Sequence, residues 1–136
     1  MYKQVAVVDN RYLSVFDGRT EYQVGSRLEE LAEPEHQGGY YCFETIEDAM
    51  TAFFPAHSKL LGAKKAIMEV SIAGASVLYM TRKHGQDGKA IKTLQKYAYS
   101  EMEPLSIIPP ESWPVGTPEL TQAKERMENP PPLTTK

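Results

Sequence analysis

The chain has little that would tie it together covalently or hold it in a membrane. Cys42 is its only cysteine, so no intrachain disulfide can form, and 136 residues are enough to bury a core without one. Such cysteine usage fits a reducing compartment, and we expect a cytoplasmic protein. No window approaches the ~20 apolar residues of a membrane span. The opening MYKQVAVVDNRY also has no apolar run of signal-peptide length. A basic excess is missing too: the net charge is −3, which argues against a general nucleic-acid binder. His36, Cys42, His57 and His84 are six, fifteen and twenty-seven residues apart, with no short ligand pair of the kind zinc sites use. Gly85-Gln-Asp-Gly88-Lys89 lacks the spacing of a phosphate loop. We therefore expect neither a metal nor a cofactor.

Proline is scarce before Pro104, and eight of the ten prolines fall from Pro104 to Pro132 inclusive. This shift divides the chain into an expected α+β domain over 1–108 and a Pro-rich C-terminal segment over 109–136. Proline removes backbone donors and restricts its neighbours, so the segment cannot hold a continuous helix or strand. Its helix-compatible piece is 118–128, where Thr117 can cap and Pro118 suits the first helical position. Leu120, Ala123 and Met127 make a narrow apolar stripe there, fit to dock on the domain or on a partner. Residues 129–136 read as frayed or polyproline-like. Trp113, the single tryptophan, stands between Pro110 and Pro114. A large aromatic in a stiffened segment is a good binding anchor, either in a groove of the chain's own sheet or on a second chain.

The first forty residues read as β. Strands are expected over 3–8, 12–16 and 20–24, with Asp17-Gly18 as the type I′ hairpin signal. Residues 26–34 read as a loop with one helical turn. Tyr40-Tyr-Cys-Phe43 has high strand propensity. It leads into Thr45-Ile-Glu-Asp48, which has the form of a capping box. Ile46, Ala49, Met50 and Phe53 then fall on one helical face that Pro55 ends. A strand is expected over 65–72 and broken by Gly74. Residues 76–80 are a further strand or its continuation past a bulge. Thr81–Lys89 reads as a polar loop, 89–98 as a helix with lysines outward, and 104–108 as a last short strand. This order predicts a single α+β domain with a mainly antiparallel sheet.

Several short motifs are similar to those of a group of small uncharacterised domains of phage and bacterial type. They are Tyr2-Lys3, Tyr22-Gln-Val-Gly25, Gly39-Tyr-Tyr-Cys-Phe-Glu-Thr-Ile-Glu-Asp-Ala49, Val70-Ser-Ile-Ala-Gly74 and Lys89-Ala90. The resemblance spans roughly residues 1 to 108 and implies a fold but no activity. A second resemblance concerns chemistry. His36 with Tyr40, Tyr41 and a glutamate such as Glu44, Glu101 or Glu103 resembles the ADP-ribosyltransferase pattern. There a histidine and a tyrosine position a nicotinamide dinucleotide and a late glutamate holds the ribose hydroxyl. Cys42 with His36 or His57 offers a nucleophile and a base. The catalytic candidates are thus His36, Tyr40, Cys42 and Glu44.

Electrostatically the most distinct region is 82–96, where Arg82, Lys83, Lys89, Lys92 and Lys96 against Asp87 give a local charge of +4 in an acidic chain. Such a region can take a phosphate or an acidic partner segment. Nucleic acid would want aromatics interleaved with the cations, and only Tyr79 and Tyr97 are near. The reading these features favour is a non-catalytic interaction module that binds a protein partner or another copy of itself. Its binding residues would be Arg82, Lys83, Lys89, Lys92 and Trp113. The alternative is a nucleotide-binding or ADP-ribosyltransferase-like enzyme using the His36–Glu47 region.

Overall fold

The computed structural model describes residues 1–29, 40–52, 54, 57–84 and 90–130, with side chains for all of these except 75, 79–84 and 90–95. His36, Phe53, Pro55, Lys89 and 131–136, on which some expectations rest, lie outside the described residues.

The strands are β1 (Tyr2–Val8), β2 (Arg11–Leu13), β3 (Glu21–Tyr22), β4 (Leu28–Glu29), β5 (Tyr40–Cys42), β6 (Lys64–His84) and β7 (Ala90–Ile108). Two helices, α1 (Ile46–Thr51) and α2 (Pro118–Glu128), complete the described elements with a 3-10 turn over Pro110–Ser112. All strands join one antiparallel sheet in the order β3-β2-β1-β6-β7-β4, and β5 also pairs with β7. The chain is therefore a single α+β domain, as the element order predicts.

The sheet curls enough to bring its ends together. β5 pairs with β7, yet the next residue, Phe43, exchanges backbone hydrogen bonds of 2.7 and 2.8 Å with Tyr2 at the start of β1. Two irregularities supply curvature. At Gly74 (φ 80) β6 carries one extra residue against β7, a bulge that glycine adopts without steric cost. Near Pro104 the extra residue, Leu105, lies on β7. A bulge is where a strand tolerates proline, and the Pro104 carbonyl still accepts from Gly25 N at 2.8 Å.

Four expectations are corrected. The two-residue type I′ turn falls at Asp9-Asn10, both at positive φ (51° and 63°), between the paired Val8 and Arg11. Asp17-Gly18 instead lies in a loop held by the Asp17 carboxylate, which accepts from Arg19 N, Thr20 N and Thr20 Oγ1 at 2.7, 2.9 and 2.6 Å. The expected 89–98 helix is strand from Ala90 onward, and Thr81–His84 is strand as well. Ala90, Ile91, Leu94, Tyr97 and Ala98 do match a helical period, but pairing with β6 along the whole length overrides it. Residues 28–29 form strand β4 on the edge of β7.

The core has two parts. Phe43, Ala49, Met50, Ala52, Ile67, Trp113, Ala123 and Met127 pack between the helices and the sheet. Val5, Tyr22, Tyr40, Cys42, Ala66, Met68, Val70 and Met102 form the second cluster. Strand alternation produces this division: Ile67 belongs to the first cluster, its neighbours Ala66 and Met68 to the second. Both helices start as the sequence predicts, with Thr45 Oγ1 accepting from Asp48 N at 3.0 Å and Thr117 Oγ1 from Leu120 N at 3.2 Å. Through Pro130 the C-terminal segment is part of this packing. Trp113 is 3% exposed and donates from Nε1 to the Ile108 carbonyl at 3.1 Å. It sits against the helices as well as the sheet.

Candidate functional site

Tyr40 and Cys42 pair across from Tyr99 and Tyr97, while Tyr41 lies opposite Ala98. Tyr40 is buried and Cys42 is fully enclosed. Burial pushes the Cys42 thiol up to about 11, and the nearby charges of Lys3 and the N-terminus offset only part of that. A thiol so placed is a core residue, not a ready nucleophile. His57 packs edge-on against Phe16, with ring centroids 5.4 Å apart. Exposed Glu44 accepts from the Tyr97 hydroxyl at 2.5 Å. That hydrogen bond, ahead of burial and the glutamate's charge, raises the Tyr97 pKa. Tyr97 also stacks on Tyr99 at 6.2 Å. Glu44 and Tyr97 thus latch β5 to β7. Of the catalytic candidates, Tyr40 and Cys42 are packed inside, Glu44 is on the surface, and His36 is outside the described residues.

A second grouping centres on Tyr41. Alternation along β1 directs Gln4 to α1, where its amide donates to the carbonyls of Ala49 and Met50 at 2.8 and 3.3 Å. Lys3 therefore shares the opposite side with Val5. The buried Lys3 ammonium donates to the Tyr41 carbonyl at 2.8 Å and stands 5.3 Å from the centroid of the Tyr22 ring. From β7, Lys96 is diagonal to Tyr41 and sets its ammonium 4.5 Å from that ring's centroid. Burial, then the charge of Lys3, lowers Lys96 to about 8. Sequence reasoning misses Lys3. Its signal is a lysine at an alternating position with Val5 and Val7, where the strand's other residues face the core.

The basic region lies along the β6–β7 hairpin. The register sets Arg82 opposite Thr93 and Lys83 opposite Lys92, while Lys96 belongs to the Tyr41 grouping. Trp113 is a core residue rather than an exposed anchor. Among the described residues no cluster of three His, Cys, Asp or Glu could hold a metal ion. No described helix is long and apolar enough to cross a membrane. Comparison with family models, curated proteins and solved structures finds no match.

Proposed function

We propose that the protein is a non-catalytic binding module that engages an acidic segment of a protein partner through the distal half of the β6–β7 hairpin. One observation carries this reading. β6 and β7 stay paired from Ile67↔Ile108 to His84↔Ala90, but β1 pairs with β6 only as far as Glu69. β5 and β4 pair with β7 only between Tyr97 and Met102. Among the described strands, the pairs from Tyr79↔Lys96 outward therefore have only each other. This ribbon is about 20 Å long at the usual strand rise, and it carries Arg82, Lys83 and Lys92. Cations on ribbon edges discourage self-pairing and attract acidic chains. The motifs that resemble those of small phage- and bacterial-type domains support a scaffold role, since their described residues fall on strand ends, the α1 cap and the Gly74 bulge. Of the two aromatics near the cations, Tyr97 is already bonded to Glu44, which weighs against nucleic acid.

The test uses a fluorescein-labelled poly-glutamate peptide as the acidic probe, read by anisotropy at low and at physiological salt. Wild type should bind in a salt-dependent way, and Arg82→Glu with Lys83→Glu and Lys92→Glu should lose at least ~10-fold in affinity. Equal affinity for the triple variant would remove the hairpin from the interface. Tighter binding of a DNA duplex than of the peptide would overturn the choice of partner.

A further inference from the structure

We propose that the acidic segment is bound as an extended strand, added antiparallel along the free edge of β6 from Ser76 to His84. This inference rests on the acidic-segment reading and deepens it: the hairpin recognises the partner's backbone as well as its charge. On the side of β6 away from β7, β1 covers the strand through Glu69, and the last bonds there join Met1 and Val70. From Ser71 onward no described strand lies on that side, while β7 covers the other side as far as His84. A strand paired on one side only presents alternate N–H and C=O groups along its other side, where a second extended chain can take them up.

Open edges are ordinarily blunted by charge, by proline or by a bulge. The bulge at Gly74 does this locally, since it interrupts the register between Ala73 and Ser76. Beyond it, Ser76-Val-Leu-Tyr-Met-Thr81 contains neither a charge nor a proline. Ser76 is exposed, and Leu78 is 51% exposed, apolar surface that a neighbouring strand would cover. The edge is therefore unprotected along this run.

Charge says which chain fits it. Past Thr81 the edge ends in Arg82, Lys83 and His84. A second copy of β6 filling the same edge antiparallel would set Leu78 opposite Arg82 and Val77 opposite Lys83, and would bring no carboxylate. An acidic segment supplies that counter-charge. All pairings of the sheet are antiparallel, the arrangement slightly more stable per residue. In that direction the N-terminal end of the added strand lies against His84. The fitting partner thus carries its carboxylates at that end, followed by β-branched residues against Ser76–Thr81.

Peptide probes on the full chain separate backbone recognition from charge alone. They are fluorescein-labelled Glu-Glu-Glu-Thr-Val-Thr-Val-Thr, the same sequence reversed, and two forms N-methylated at alternate residues, one for each edge of the peptide strand. The unmodified peptide should bind at low salt and the reversed one more weakly. One methylated form should lose at least ~10-fold in affinity, about two backbone hydrogen bonds, while the other binds like the unmodified peptide. In amide exchange the peptide should slow those alternate amides between Ser76 and His84 that β7 leaves free. Equal affinity of the two methylated forms overturns strand addition, and equal affinity of the reversed peptide overturns its direction. If binding still falls with Arg82→Glu, Lys83→Glu and Lys92→Glu in those cases, the acidic-segment reading survives without the strand. Failure of this peptide and of poly-glutamate alike overturns both. A dimer in sedimentation equilibrium that the peptide cannot dissociate overturns the choice of occupant.

Discussion

The amide of Gln4 meets the carbonyls of Ala49 and Met50, which sit in the last turn of α1 and have no partner within so short a helix. Gln4→Leu fits the space but strands those oxygens, and should cost about 1–3 kcal/mol in urea unfolding. A loss near zero would mean that water satisfies them. Thr45→Ala, which removes the cap on Asp48 N, should cost ~1 kcal/mol. The titrating residues set a pH profile. Burial lowers both Lys65 and Lys96 to about 8 from the usual 10.5, so the folded chain releases these protons before the unfolded chain does. Stability should therefore rise as pH climbs through 8 toward 10.5. Cys42 opposes this, since its raised pKa costs stability between 9 and about 11. The raised Tyr97 and Tyr99 add to that loss above 10. The urea midpoint should thus rise from about pH 8, more slowly above 9 because two lysines still outweigh one cysteine, and level or fall only above about 10, with a shallower rise in Lys65→Met. A midpoint that falls steadily from pH 8 would contradict the burial of both ammoniums.

Among the elements, the β6–β7 hairpin depends most on one position. Gly74 takes φ 80, and a side chain there would run into Ser100 and Glu101 on the facing strand. Gly74→Ala should cost about 1–2 kcal/mol for the backbone alone, with more from the collision. It should disturb the pairing of Glu101 with Arg27 that helps hold β4 near β7. Amide exchange that quickens in β4 and in the middle of β7, but not in β1, would locate the damage; unchanged exchange in β4 would show that the bulge does not set that edge. The same hairpin marks where the sequence stops being legible. α1 and α2 were readable because a cap, a proline at the first turn and an apolar stripe are all local. In β7, Ala90, Ile91, Leu94 and Tyr97 carry a helical spacing, and what makes them strand is β6, a partner that no window of sequence contains. The turn formers Asp9-Asn10-Arg11 mark the first turn correctly, but the type I′ geometry belongs to Asp9-Asn10 and not to Asp17-Gly18, a stronger dipeptide signal used in a longer loop. Lys3 was invisible as a site residue because its significance lies in Tyr41 and Lys96, about forty and ninety positions away.

At the scale of the whole molecule, the question is whether the segment after Pro109 is a unit apart. Trp113, Ala123 and Met127 share one cluster with Phe43, Met50 and Ile67, so the helix-side core joins the C-terminal segment to the middle of the chain. α2 covers this cluster with Ala123 and Met127, both buried, and Leu120 packs against it. Removing part of that cover should weaken the entire domain: Met127→Ala should cost ~2–5 kcal/mol. Trp113 reports the outcome, because its ring is enclosed by residues of β6, α1 and α2 together. Its emission should be blue-shifted and independent of dilution to nanomolar protein. It should redden in the same urea transition that removes the far-ultraviolet signal of the sheet. A red shift on dilution would move Trp113 to an interface between chains. A tryptophan transition that precedes the loss of the sheet would make 109–130 a separately melting cover, and the Met127→Ala loss would then appear only in that earlier step. Coincident transitions are expected because Ile67 and its neighbour Met68 belong to opposite clusters of the core, so uncovering one side of β6 strains the strand that supports the other.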